Sequence, residues 1–114
     1  MKKINILKES RDFDRIIKNT KPYKYKDYII FVERNNDSIY KFGISVGKKI
    51  GNAVERNKIK RRIKYIIDKK DYQKGFNCII IVGRGINNKP FTEIENDLLS
   101  ALKNINIIKE KRDE

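Results

Sequence analysis

Ten basic side chains and only two acidic ones fall between Lys48 and Lys70, a local +8 out of the formal +13 carried by all 114 residues. Guanidinium forks match phosphate oxygens better than ammonium groups do, and three of the eight arginines, Arg56, Arg61 and Arg62, lie in this stretch. Like charge at this density repels itself unless a polyanion neutralises it, so the chemistry on offer is phosphate binding. Codon drift is a second source of positive charge, since Ile, Lys and Asn supply 53 of the 114 residues. Drift spreads lysine along a chain, however, whereas this charge is gathered in about a fifth of it.

Side chains for covalent chemistry are scarce. With no histidine and one cysteine, the chain cannot assemble the usual zinc sites or a Ser/His or Cys/His nucleophile pair. Its fifteen carboxylates include no separated pair set among apolar residues that would serve as acid and base, and nothing in their spacing points to a magnesium site. The expectation is a protein with no catalytic residue, metal site or cofactor of its own. Cys78 sits in the apolar run Cys78 to Val82, where it packs as a small hydrophobe, and no disulfide within the chain is possible. The N-terminus lacks a signal-peptide pattern and no apolar run reaches the roughly 18 residues of a membrane span. A cytoplasmic protein without a membrane partner is expected.

The elements that must position the basic residues can be read from periodicity. From Asn52 to about Lys70 the pattern is helical, with Asn52 as cap, Glu55 placed to reach back, and Ile59, Ile63, Ile66 and Ile67 on one narrow arc. Asn57, Lys60, Arg61 and Lys64 fall on one flank of that arc, and Lys58, Arg62 and Lys69 on the other. An earlier helix begins at Ser10 as cap, carries Asp12 and Asp14 near its positive end and Phe13, Ile16 and Ile17 as a stripe, and ends before Pro22. Thr92 and Glu95 read as the capping box of a last helix facing the core through Ile94, Leu98, Leu99 and Leu102.

Two extended segments, Asp27 to Glu33 and Tyr40 to Val46, flank the turn-forming Asn35-Asn36-Asp37-Ser38 and predict an antiparallel hairpin. Phe76 to Val82 reads as a buried strand, reached through a helix and so able to pair parallel to an earlier one. Gly83-Arg84-Gly85 reads as a plain turn. In the second extended segment Phe42, Ile44 and Val46 share one face, while Gly43 and Ser45 give the other no bulk. In the first, Tyr28, Ile30 and Val32 face the core, leaving Ile29 and Phe31 opposite. An aromatic beside Gly and Ser on an uncovered face suits a single strand whose bases stack on the ring. The same pattern is met if a helix covers Phe31 as ordinary core, and alternation does not choose between the two. There is no internal repeat and no Gly/Ser linker, so residues 1–108 are expected to form one domain, followed by a charged, frayed tail at 109–114.

The segment from Ile50 through Gly51-Asn52-Ala53-Val54-Glu55-Arg56-Asn57-Lys58-Ile59-Lys60-Arg61-Arg62-Ile63 to Lys64 closely resembles the signature of the bacterial ribonuclease P protein family. It combines the Arg-Asn pair, the Lys-Arg pair one helical turn later and a basic residue after a further turn. Leu7 to Ile17 is similar to that family's opening helix, Phe42 to Lys49 to its strand before the basic helix, and Ile79 to Arg84 to its last strand.

The resemblance implies an α+β two-layer sandwich in the order αβββαβα, with a mixed, roughly four-stranded sheet and a left-handed βαβ crossover (ribosomal-protein-S5-domain-2-like). It adds a short strand near Lys21 to Lys26. It implies a protein subunit of ribonuclease P that binds the catalytic RNA and the 5′ leader of precursor tRNA, while the RNA with bound magnesium ions hydrolyses the phosphodiester. By position, Arg56, Asn57, Lys60, Arg61, Arg62 and Lys64, with Lys48 and Lys49, would form the RNA interface. Phe13, Ile17, Phe31 and Ser45 would line the leader cleft. Lys64 stands where Arg is frequent and Ile17 where an aromatic is common. No obligate protein partner is implied. Without the motif, charge and pattern would equally suit a non-enzymatic RNA-binding module such as a ribosomal protein. A DNA-binding architectural protein is disfavoured by the lack of a helix-turn-helix spacing or a β-arm.

Overall fold

A computed structural model describes residues 1–109 and sets three helices about one four-stranded mixed sheet. The helices are α1 (Ser10–Asn19), α2 (Ala53–Ile67) and α3 (Phe91–Asn104), and the strands β1 (Tyr23–Tyr25), β2 (Tyr28–Arg34), β3 (Tyr40–Val46) and β4 (Phe76–Val82). Single 3-10 turns occur at Lys3–Asn5, Lys48–Ile50 and Arg84–Asn88. The chain order α1-β1-β2-β3-α2-β4-α3 is the αβββαβα order expected, short first strand included.

The expected hairpin does not form. The spatial order is β1-β2-β4-β3, with β4 antiparallel to β2 and parallel to β3, so the last strand in sequence separates the two that were paired on local grounds. Burial explains the insertion. Cys78, Ile79 and Ile80 have no exposed surface, although their side chains alternate between faces, and only a central strand buries both faces. Gly75 holds the chain reversal between β2 and β3 open: its carbonyl accepts from Asn35 N (2.9 Å) and its N–H donates to Ile39 O (3.0 Å). Its φ of +78°, with Asn35 O 2.6 Å from where a Cβ would lie, reserves this position for glycine.

The main core lies between one sheet face and the α2/α3 layer. Tyr28, Ile30, Phe42, Phe76 and Ile80 meet Ile63, Ile66, Ile67, Leu98 and Leu102, all nearly or fully buried. Each such side chain contributes about 1.5–3 kcal/mol by leaving water. The second face carries a smaller cluster, in which Leu7, Phe31 and Ile79 close against Ile16 of α1. Residues ahead of α1 cover the outer edge of β3, where Leu7 N donates to Phe42 O (2.9 Å) and Asn5 Nδ2 to Tyr40 O (2.7 Å). At the other edge, β1 pairs only with β2.

Helix ends follow the sequence unevenly. Asn52 caps α2 as predicted, its side chain accepting from Glu55 N (2.9 Å). Helix α1 starts one residue early, with Glu9 at the cap position and Ser10 already helical. It stops before Pro22, where Thr20 returns both its N–H and its hydroxyl to Ile16 O. The Thr92–Glu95 capping box is absent because α3 begins at Phe91, directly after Pro90, and Glu95 instead accepts from Lys69 Nζ (2.8 and 3.0 Å). Leu99, expected in the core, is half-buried. Lys109 is tied through its N–H to Asp71 O (2.8 Å). The rest of the expected tail, 110–114, lies outside the described residues.

Candidate nucleic-acid interface

Helix α2 turns its isoleucine stripe, Ile59, Ile63, Ile66 and Ile67, into the core. That rotation fixes where its charges go. Tyr65 stacks at a tilt on Phe91 (centroids 6.1 Å apart) and Lys69 pairs with Glu95, so this flank adjoins α3. At about 100° per residue, Lys58 and Arg62 share it. Asn57, Lys60 and Lys64 fall on the opposite flank, Arg61 points outward, exposed, and Arg56, seven residues before Ile63, stands half-buried at the N-terminal end of the isoleucine stripe.

Among the described residues, none of Lys48, Lys49, Arg56, Lys58, Lys60, Arg61, Arg62 and Lys64 takes part in an ion pair, whereas Lys69 does. Lys48 and Lys49 are exposed in the 3-10 turn that leads into the N-terminus of α2. The helix dipole adds positive potential there. Asn87 Nδ2 donates to Ile50 O (2.7 Å) and braces this turn against the one that begins at Arg84. Because β3 and β4 run parallel and end together at Val46 and Val82, exposed Arg84 emerges beside Lys48 and Lys49. Sequence reading passed over Arg84 as part of a plain turn; only the strand pairing reveals its place.

The α1 side of the sheet is organised in rows across the strands. Lys24, Ile29, Ile81 and Ser45 are mutual neighbours in one row, Phe31, Ile79 and Gly43 in the next, and Glu33, Asn77 and Lys41 in a third. Helix α1 lies over the second and third. Arg15 grips Glu33 through two bonds (Nε 3.1 Å, Nη2 2.9 Å) and holds its carboxyl below the usual range, with Asn77 Nδ2 adding a bond at 3.0 Å. With the Asp12 and Arg15 flank directed at the third row, the opposite flank, carrying Phe13 and Ile17, faces the first.

The first row is therefore a shallow groove whose floor residues Ile29, Ile81 and Ser45 are half-buried. Phe13 and Ile17, the latter 38% exposed, form one wall. On its other side the strands end and the chain leaves the sheet at Gly47 and Gly83. Phe31 does not open onto this groove. It is 6% exposed beneath α1, so the reading of it as a free stacking ring is corrected, and of the four proposed cleft residues Phe13, Ile17 and Ser45 border the open row. Ile29 and Ile81 belong there too, and were missed because their position depends on strand pairing. Cys78 has no exposure, and burial pushes its thiol up, away from the reactive thiolate.

No helix of the described residues is long and apolar enough to cross a membrane. The Ribonuclease P family matches the chain over residues 1–106. A ribonuclease P protein component of Streptococcus pneumoniae (strain CGSP14) is 34% identical over 112 residues, covering 96% of this chain and 91% of that one. The solved structure of the Staphylococcus aureus RNase P protein superposes with a TM-score of 0.81 at 30% identity, over 92% of this chain and 98% of that one. The RNase P protein of Thermotoga maritima gives 0.78 at 28% identity, over 86% and 94%. A match over nearly the whole chain, the same strand and helix order, and the unpaired basic flank of α2 agree: the chain belongs to the ribonuclease P protein family.

Proposed function

We propose that the protein is the subunit through which ribonuclease P grips its RNA component and the 5′ leader of precursor tRNA. The observation that carries this reading is the flank of α2 bearing Asn57, Lys60 and Lys64, with Arg61, Arg56 at the start of the helix and the adjoining Lys48, Lys49 and Arg84. Those cations have no acidic partner among the described residues, so phosphate neutralises them best. Arg62, on the α3 flank, contributes to the same field from the side. The groove floored by Ile29, Ile81 and Ser45 and walled by Phe13 and Ile17 takes the leader, since an open apolar row beside cations suits unpaired nucleotides.

Cleavage itself falls to the RNA component and its magnesium ions. The protein's single thiol is buried and its histidine count is zero, which supports a role in binding and positioning. The assembly works in the cytoplasm, with no obligate protein partner.

The test is reconstitution with the host's ribonuclease P RNA and precursor tRNA at low magnesium. The protein should raise cleavage by the RNA while showing none alone, and should favour precursor over mature tRNA. Metal-dependent cleavage by rigorously RNA-free protein would overturn the assignment of roles.

A further inference from the structure

The groove does not end at its apolar floor. Following the first row outward across the sheet, the register runs from Ser45 to Ile81 to Ile29 and reaches Lys24 on β1. Alternation along Tyr23–Tyr25 turns the Lys24 side chain to the groove side, while Tyr23 and Tyr25 pack against the α2/α3 core. Lys24 is exposed and forms no ion pair among the described residues. The row therefore has cations beside its β3 and β4 positions, at Lys48, Lys49 and Arg84, and a further one at its far edge on β1. Three interstrand spacings of about 4.8 Å put the two ends of the row roughly 14 Å apart.

We propose that the leader crosses the sheet along this row and that Lys24 binds a phosphate of its distal part as it leaves over β1. This rests on the reading of the groove as the leader's path. A chain of phosphates drawn into an apolar trough needs cations where it enters and where it leaves, since the floor itself neutralises nothing. Lys24 itself packs against neither hydrophobic cluster, which leaves its ammonium free for such a contact. The competing explanation is that a lysine on a free edge strand only deters pairing with other chains.

The experiment uses the holoenzyme assembled with the host RNA and precursor tRNAs whose single-stranded leaders lengthen one nucleotide at a time. Affinity should rise with leader length and level off once the leader reaches β1. Lys24→Ala should bind short-leader substrates as the wild type does, and lose about two- to tenfold on long ones. The salt slope of the long-leader contribution should fall by about 0.7, the value for one single-strand phosphate. Lys24→Arg should restore both. Ile17→Asp, a negative charge on the groove wall, probes the path itself and should weaken binding of short and long leaders. If Ile17→Asp weakens leader binding and Lys24→Ala does not, the role of Lys24 is overturned and the edge-protection account stands. If neither variant matters, the groove is not the leader's path and both readings fail. Both substitutions are at solvent-exposed positions, and circular dichroism checks that the fold survives.

Discussion

The ring of Phe13 fills the space above Gly43. A Cβ built on Gly43 would lie 2.5 Å from Cζ of that ring and 3.3 Å from a methyl of Leu7, so α1 can settle on the sheet only because β3 has no side chain there. Gly43→Ala should thus lift α1 and cost about 1–3 kcal/mol, the usual scale of overpacking. Urea denaturation measures it, and pairing the change with Phe13→Leu should recover part of the loss. An unchanged midpoint for Gly43→Ala would mean that α1 is not seated as described.

Phe31 lies in the same row as Gly43, two strands away beneath α1 with 6% exposure, and its removal should act on folding before it acts on binding. Phe31→Ala should cost about 3–5 kcal/mol, as deletion of a buried ring does. Phe31→Leu should keep the fold and leave the preference for precursor over mature tRNA close to that of the wild type. A selective loss of leader binding in a stably folded Phe31→Leu protein would restore the ring to the binding surface.

On α2, replacing Lys60 and Arg61 together by Ala removes two unpaired cations without touching the isoleucine stripe. Affinity for the RNA component should drop, and the slope of log affinity against log salt should flatten by about 0.7–0.9 for each phosphate that is no longer neutralised. Thermal stability should hold or rise slightly as like-charge repulsion is relieved. A parallel downward shift with no change of slope would mean that these residues do not meet phosphate.

Arg15 and Glu33 tie α1 to β2, and the tie is sensitive to acid. Arg15 holds the Glu33 carboxyl below its ordinary value of 4.5, so Glu33 binds fewer protons folded than unfolded. Its contribution is complete above that ordinary value and disappears as pH falls through the depressed one. The stability gap between wild type and Arg15→Gln should therefore be constant near neutrality and close as the pH drops below about 4.5. A gap that persists unchanged under strong acid would show that Arg15 acts through packing alone.

Much of this architecture was legible because it is local. The isoleucine period of α2, the Asn52 cap and the stop before Pro22 each depend on neighbours within a turn or two, and each is found. The insertion of β4 between β2 and β3 was not legible in the turn, because the chemistry at Asn35 to Ser38 states only that the chain reverses, not what lies beside it afterwards. The doubly apolar run of Phe76 to Val82 carried the missing information, since a strand that buries both faces must take the centre. The basic flank could be drawn from helical spacing alone. Groove membership could not, because Ile29, Ile81 and Ser45 become neighbours only through two different strand pairings, one antiparallel and one parallel.

The central position of β4 also sets an order of events in synthesis. β2 and β3 share no ladder with each other and both pair with β4, the last strand to leave the ribosome. Until Val82 has emerged, the isoleucines of α2 have only part of a sheet to cover, and the orientation of the basic flank has nothing to lock it. The nascent chain thus carries its whole cationic segment well before it can present that segment as a shaped surface. The shaped basic surface therefore exists only once β4 has joined the sheet.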